Sequence, residues 1–308
     1  MEAQKKRSVR SEKFTRIRLR RSLFIAGMLS IAIINFLVFW LYVNFNSILM
    51  AFQMQTSKGL VWTMENFERF FREVQIADFQ LGLAIKNSML LYVTGTFVSL
   101  PLSLLFAYYL FKKVVGADVF RVIFFLPSII SAAVLVTLFK YLVMPSGPVN
   151  ELLSILTGQD IAIEWVVDEQ YSMFTILFYT VWTGFGGNIV MLTGAIHRIP
   201  EDVIEYGKLE GISMTRELFN IVIPLMWPTL STLIICSTAG LFTASGPVLL
   251  FTEGQFGTMT LGYFIFDKVQ AGQYYYPASI GLIFTFIGVP ITLAVKWFCD
   301  HLIEDVQY

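Results

Sequence analysis

Residues 205–224 read EYGKLEGISMTRELFNIVIP, a charged, glycine-interrupted stretch between two long apolar runs. Read locally, it is two helices meeting at a corner. Glu201 and Asp202, just upstream, suit the positive N-terminal end of a helix dipole, and Pro200 suits a first helical position, where a missing N–H is no loss. The spacing predicts a helix to about Glu210, closed by Gly211 in the left-handed conformation that glycine adopts without steric penalty. Ser213 is a candidate N-cap for a second helix carrying Leu218, Phe219 and Ile221. Pro224 and Pro228 are expected to redirect that helix into the next apolar run. A short, rigid helix of this kind is suited to docking in a groove of another protein; a solvated loop is the alternative reading.

The surroundings are those of a membrane protein. Of 308 residues 56% are hydrophobic and 14% charged, where a soluble domain carries roughly a quarter charged. Crossing a hydrocarbon core takes about 20 apolar residues as helix, and we count six such runs: 23–45, 89–111, 122–142, 173–196, 228–250 and 279–297. The expected fold class is therefore all-α, a polytopic protein of six transmembrane helices, with a basic segment over 1–22 and the charged loop spanning 200–224. The first run follows a basic stretch, but it is too long for a signal peptide and lacks a small-residue cleavage pattern, so it is expected to be retained.

Lys and Arg bias in short loops sets orientation. Nine of the 22 basic residues lie in the first 21 positions, and with that end inside, sixteen fall on the inner side and five on the outer. Both termini and the 200–224 loop are thus expected to be cytoplasmic. Zero net charge gives no reason to expect a nucleic-acid partner. Met64–Val74 places Phe67, Phe70 and Phe71 opposite charges, as in a helix lying at the membrane interface. In the second run, Gly95, Ser99, Ser103 and Ala107 at four-residue spacing suit close helix packing. In the fourth, TGFGGN (183–188) suits either tight packing or a loosened helix whose carbonyls and Asn188 face a hydrated path. The fifth is rich in hydroxyls, Ser237 and Thr238 among them, which can also bond back to their own helix. Cys236 and Cys299 lack metal-ligand spacing and read as small packing residues.

The charged stretch also resembles a known motif. Glu205, Gly211, Ile221, Ile223 and Pro224 reproduce the spacing E-x5-G-x9-I-x-[LI]-P of the EAA loop, which marks permease subunits of binding-protein-dependent ABC importers. Tyr206 and Gly207 replace the usual two alanines, and Ile223 the usual leucine. GLVWTMENFERFF, FRVIFFLPSII, GPVN and FTEGQFGTMTLGYFIFDKV, followed by YYPASIGLIFTF, resemble segments of carbohydrate-type, maltose-like permeases. There the family commonly has Gly-Gly-Pro where Gly254, Gln255 and Phe256 stand here. The resemblance implies a bacterial or archaeal inner-membrane permease. It would pair with a second homologous permease, two cytoplasmic ATPase subunits and an extracellular solute-binding protein delivering sugar.

On that reading Glu205, Gly211, Ile221 and Pro224 couple the chain to its ATPase. Tyr179, Trp182, Asn188, Ser237 and Thr238 are the candidate substrate path, with the two aromatics available to stack on sugar rings. The chain has no G-x-x-x-x-G-K-[ST] phosphate loop, so no cofactor is expected in it, and ATP and magnesium would be held by partner subunits. An importer for a non-sugar solute is the nearest alternative. A lipid-modifying membrane enzyme would need a cluster of acids or histidines, and an ion-driven transporter an ionisable residue deep in a span. Lys86 and Lys140 sit only at span ends, and His197 and His301 fall outside the spans.

Overall fold

In the computed structural model the described residues are 21–303, apart from 58, 77–79 and 244. All but the last two positions of the basic segment expected over 1–22 therefore lie outside the described residues. Apolar runs that meet no water must satisfy their backbone polar groups internally, and they do so as helices. Helix α1 covers Arg21–Ala51 and is followed by a hairpin of β1 (Gln53–Thr56) and β2 (Gly59–Trp62), with Gln53 opposite Trp62. Then come α2 (Glu65–Gln75), α3 (Gln80–Phe111), α4 (Ala117–Ile129), α5 (Ala132–Val143), α6 (Pro148–Thr157) and α7 (Glu169–Ile196). The charged stretch holds α8 (Glu201–Leu209) and α9 (Met214–Leu225), and α10 (Trp227–Ala239), α11 (Val248–Phe251), α12 (Leu261–Gln270) and α13 (Tyr275–Leu302) complete the order.

Among the described residues five stretches are long and apolar enough to cross a membrane: α1, α3, the succession α5–α6 over Ala132–Thr157, α7 and α13. The pair α9–α10, bent by 73° at Met226, makes a sixth when the two are taken as one broken span. Two expected spans are corrected. The third, 122–142, is broken at Ile130 and Ser131, both in extended conformation. Pro127 inside α4 has already removed a helical hydrogen bond, and the chain leaves the helix three residues later. The fifth, 228–250, is helical to Ala239 and again only from Val248, because Gly240, Gly246 (φ +54°) and Pro247 turn the chain instead of extending it.

Side chains of α1 are exposed along almost its whole length, a surface untenable in water and natural against lipid. The expected interfacial helix over Met64–Val74 forms as α2, but it docks on α13. Phe70 is buried edge-on to Phe284 at 5.8 Å, and the Arg69 guanidinium lies 4.1 Å over the Tyr276 ring. Beyond α5, buried Asn150 gathers the acidic loop by donating to the Met144 and Ile163 carbonyls (3.0 and 2.9 Å) and accepting from the Trp165 indole (3.0 Å).

The helices enclose two separate apolar cores. One, around Phe139, Ile176, Tyr179, Phe251, Phe264 and Ile280, lies at the end away from the charged stretch. The other, around Leu104, Tyr108, Leu192, Ile196, Ile204, Val222 and Met226, lies beneath that stretch. Where they give way to one another, α3, α7 and α10 turn their small and hydroxyl-bearing residues toward each other.

Candidate functional site

The charged stretch folds as a braced corner. Pro200 is the N-cap of α8 (φ −56°, ψ 133°), one position earlier than its expected first-turn place. The C-terminus is a Schellman closure: the Gly211 N–H bonds the Lys208 carbonyl and the Ile212 N–H the Gly207 carbonyl, each at 3.1 Å, with Gly211 at φ +70°. Ser213 takes the N-cap position of α9 without a side-chain hydrogen bond. Ile204 and Gly207 face inward, while Tyr206 (70% exposed) and Leu209 (83%) stand outward with Glu205. Gly207 permits this seat, since a Cβ there would lie 3.2 Å from Ile221 Cδ1.

The four residues expected to couple the loop take different places in it. Glu205 is on the exposed side, lining a cleft of about 530 Å³ with Lys112, Lys113, His197 and Lys208. Gly211 makes the corner. Ile221 is half-buried and supports α8 from behind. Pro224 lies within the last turn of α9, so the redirection falls two residues later, at Met226 (φ −95°, ψ 6°), with Pro228 in the first turn of α10.

Between the two cores lies a cleft of about 310 Å³, walled by Thr96 and Ser99 of α3, Thr180, Gly184 and Asn188 of α7, and Cys236 and Ser237 of α10. Its α3 wall is a π-helical stretch, Thr94–Ser99, where the Leu100 N–H bonds the Gly95 carbonyl five residues back. Such local widening is frequent at functional sites. Thr96 and Ser237 share a hydroxyl–hydroxyl bond of 2.6 Å, and Ser99 Oγ is buried without a hydrogen-bond partner. The Asn188 amide is half-exposed and makes no hydrogen bond among the described residues. No Asp, Glu, Lys or Arg lines this cleft.

Two of the three glycines in the TGFGGN stretch, Gly184 and Gly186, belong to packing, and Gly187 has open space around it. Helix α7 runs unbroken from Glu169 to Ile196, so it is not loosened. A Cβ on Gly184 would meet Ser99 Oγ at 2.9 Å, and one on Gly186 would meet the Phe124 carbonyl oxygen at 2.9 Å. Of the stripe expected for close approach, Ser99, Ser103 and Ala107 are buried, whereas Gly95 is half-buried with open space where a Cβ would be. Of the candidate path, Asn188 and Ser237 line the cleft, and three residues lie elsewhere. Tyr179 is buried in the far core, 4.9 Å from Phe251 and 5.2 Å from Phe139. Trp182 borders an apolar pocket of about 400 Å³ with Phe139, Trp165 and Phe178. Thr238, bonded to the Tyr92 hydroxyl at 3.0 Å, opens onto a different cavity between α10 and α13. Helical geometry is the reason: at about 100° per residue, position 179 lies opposite position 188. The i, i+4, i+8 series Thr180, Gly184, Asn188 was the signal that would have found the cleft face.

Two further residues went unremarked. Glu217 of α9 is buried, and the Lys112 ammonium at the end of α3 lies 2.5 Å from its Oε1. Beside them the Tyr108 hydroxyl donates to the Met214 carbonyl at 3.1 Å.

Residues 99–308 match the family described as binding-protein-dependent transport system inner membrane component. The arabinooligosaccharides transport system permease protein AraP of Halalkalibacterium halodurans is 22% identical over 274 residues, 86% of this chain and 84% of that protein. The lactose transport system permease protein LacF of Rhizobium radiobacter is 26% identical over 250 residues, 80% of this chain and 81% of that protein. A crystal structure of a bacterial ABC transporter involved in import of the acidic polysaccharide alginate superposes with a TM-score of 0.80 at 20% identity, covering 92% of this chain and 98% of that one.

Proposed function

Because this chain belongs to the family of binding-protein-dependent transport system inner membrane components, we propose that it is one permease half of an ATP-driven importer of sugars or oligosaccharides. It is a transport subunit and not an enzyme. The second half is a homologous permease; two ATPase subunits, holding ATP and magnesium, dock on the 200–224 loop; a solute-binding protein delivers substrate at the opposite face. The chain sits in the cell membrane with that loop and both termini on the cytoplasmic side.

The observation that carries the sugar reading is the uncharged cleft of hydroxyls and one free amide midway between the cores. Sites for neutral ligands combine apolar walls with a few placed polar groups, and Asn188, Ser237, Thr180 and Ser99 are such groups. Outward-facing Tyr206 and Leu209 beside Glu205 offer the ATPase an apolar contact flanked by charge. ATP-driven closure of the two ATPases moves α8 as a rigid piece, and the spans switch the cleft between the two faces. The test is to purify the chain with its partner subunits and measure which solute the binding protein retains and which stimulates ATP hydrolysis. Sugar retention with sugar-stimulated hydrolysis supports the assignment; retention of an amino acid, peptide or inorganic anion overturns the substrate class.

A further inference from the structure

We propose that Lys112 and Glu217 form a buried tie that delivers the movement of the 200–224 loop to the second span. This rests on the importer reading above and adds the route by which coupling travels. Glu217 is 3% exposed and the Lys112 side chain 11%, and the ammonium stands 2.5 Å from Glu217 Oε1. That oxygen is buried with no hydrogen bond of good angle, so its compensation is the Lys112 charge. A carboxylate left buried without its cation is strongly disfavoured, so the two groups must move together. Around them the Lys112 ammonium lies 5.6 Å from the Tyr108 ring centroid, and the Tyr108 hydroxyl holds the Met214 carbonyl at 3.1 Å.

The consequence follows from what each end is attached to. Glu217 lies in α9 just beyond the Gly211 corner, and its neighbour Leu218 is buried in the core beneath the loop. Lys112 caps α3, and the α-helical segment Leu100–Phe111 runs from it straight to Ser99 and Thr96 on the cleft wall. A displacement of the loop therefore pulls on one rigid helix that ends at the cleft. The π-helical stretch Thr94–Ser99 is where that helix can change its winding. Lys112 and Glu217 are positioning residues, acting on the cleft through α3.

The readout is the ratio of solute taken up to ATP hydrolysed, measured in vesicles per assembled complex with the partner subunits. A merely structural pair would alter the yield of complex and leave this ratio alone. Glu217→Gln and Lys112→Met are expected to lower the ratio at least about fivefold, the lower range of coupling effects, and the reversed pair K112E/E217K to restore most of it. Wild-type ratios in both single variants overturn the tie. If neither single variant assembles, Glu217→Asp replaces them: its shorter arm is expected to lower the ratio while Lys112→Arg keeps it, and equal ratios overturn the proposal. Failure of the importer reading is separate, because the wild-type complex itself would then show no uptake linked to hydrolysis.

Discussion

At φ +70° Gly211 holds a conformation that costs other residues about 1–2 kcal/mol, yet nothing lies within 4 Å of where its Cβ would be. The penalty for substitution is thus conformational and not steric. Gly211→Val is expected to lower sugar-stimulated hydrolysis and the amount of ATPase that co-purifies, while Gly211→Asn, tolerant of the left-handed region, keeps most of both; equal loss in the two would place the effect elsewhere. In the cleft, Asn188→Ala and Ser237→Ala should reduce uptake with the melting temperature of the complex nearly unchanged. Tyr179→Ala should do the reverse, since emptying a buried aromatic site costs about 3–5 kcal/mol. An uptake defect in Tyr179→Ala without loss of stability would return it to the substrate path. Gly211 was legible because a glycine after a charged helical run has one dominant reason to be there. Tyr179 was not: α7 is apolar on nearly every side, so its pattern does not say which face meets the cleft.

Helix α7 is set by two close approaches, at Gly184 and at Gly186. Gly186 lets α7 approach the α4 backbone, with the Phe124 carbonyl 2.9 Å from an added Cβ, whereas Gly187 has open space. Gly186→Ala should therefore destabilise the complex by about 1–3 kcal/mol, as overpacking does, and Gly187→Ala should be silent. Thermal unfolding of the two in detergent distinguishes them, and equal stability would contradict the packing described. The existence of the helices was legible from apolar run length. Their interruptions were less so, because the breakers at Ile130–Ser131 and after Ala239 sit inside hydrophobic runs whose hydropathy stays high. The loop before α12 adds a local case. Phe256 turns the path of the chain there with φ +52°, a conformation uncommon for a residue other than glycine. Asn87 steadies that path by donating to the Gly257 and Met259 carbonyls at 2.8 Å each.

At the scale of the whole molecule, charge and hydropathy foretold a membrane-embedded helical protein with its charged corner between the fourth and fifth spans. The separation into two cores with an uncharged cleft between them was not legible, because it depends on which faces of α3, α7 and α10 meet. The proposed orientation is checked by cysteine labelling from outside intact cells: a cysteine at Asp160 should react and one at Glu210 should not. The central claim is that a sugar in the cleft and an ATPase on the 200–224 loop are linked through this chain. Its most direct measurement is ATP hydrolysis by the complete complex in vesicles, with binding protein present, as neutral oligosaccharide is added. The account predicts stimulation in the wild type that Asn188→Ala weakens and Gly211→Val abolishes. Hydrolysis unresponsive to any sugar, or fully stimulated in both variants, would contradict it.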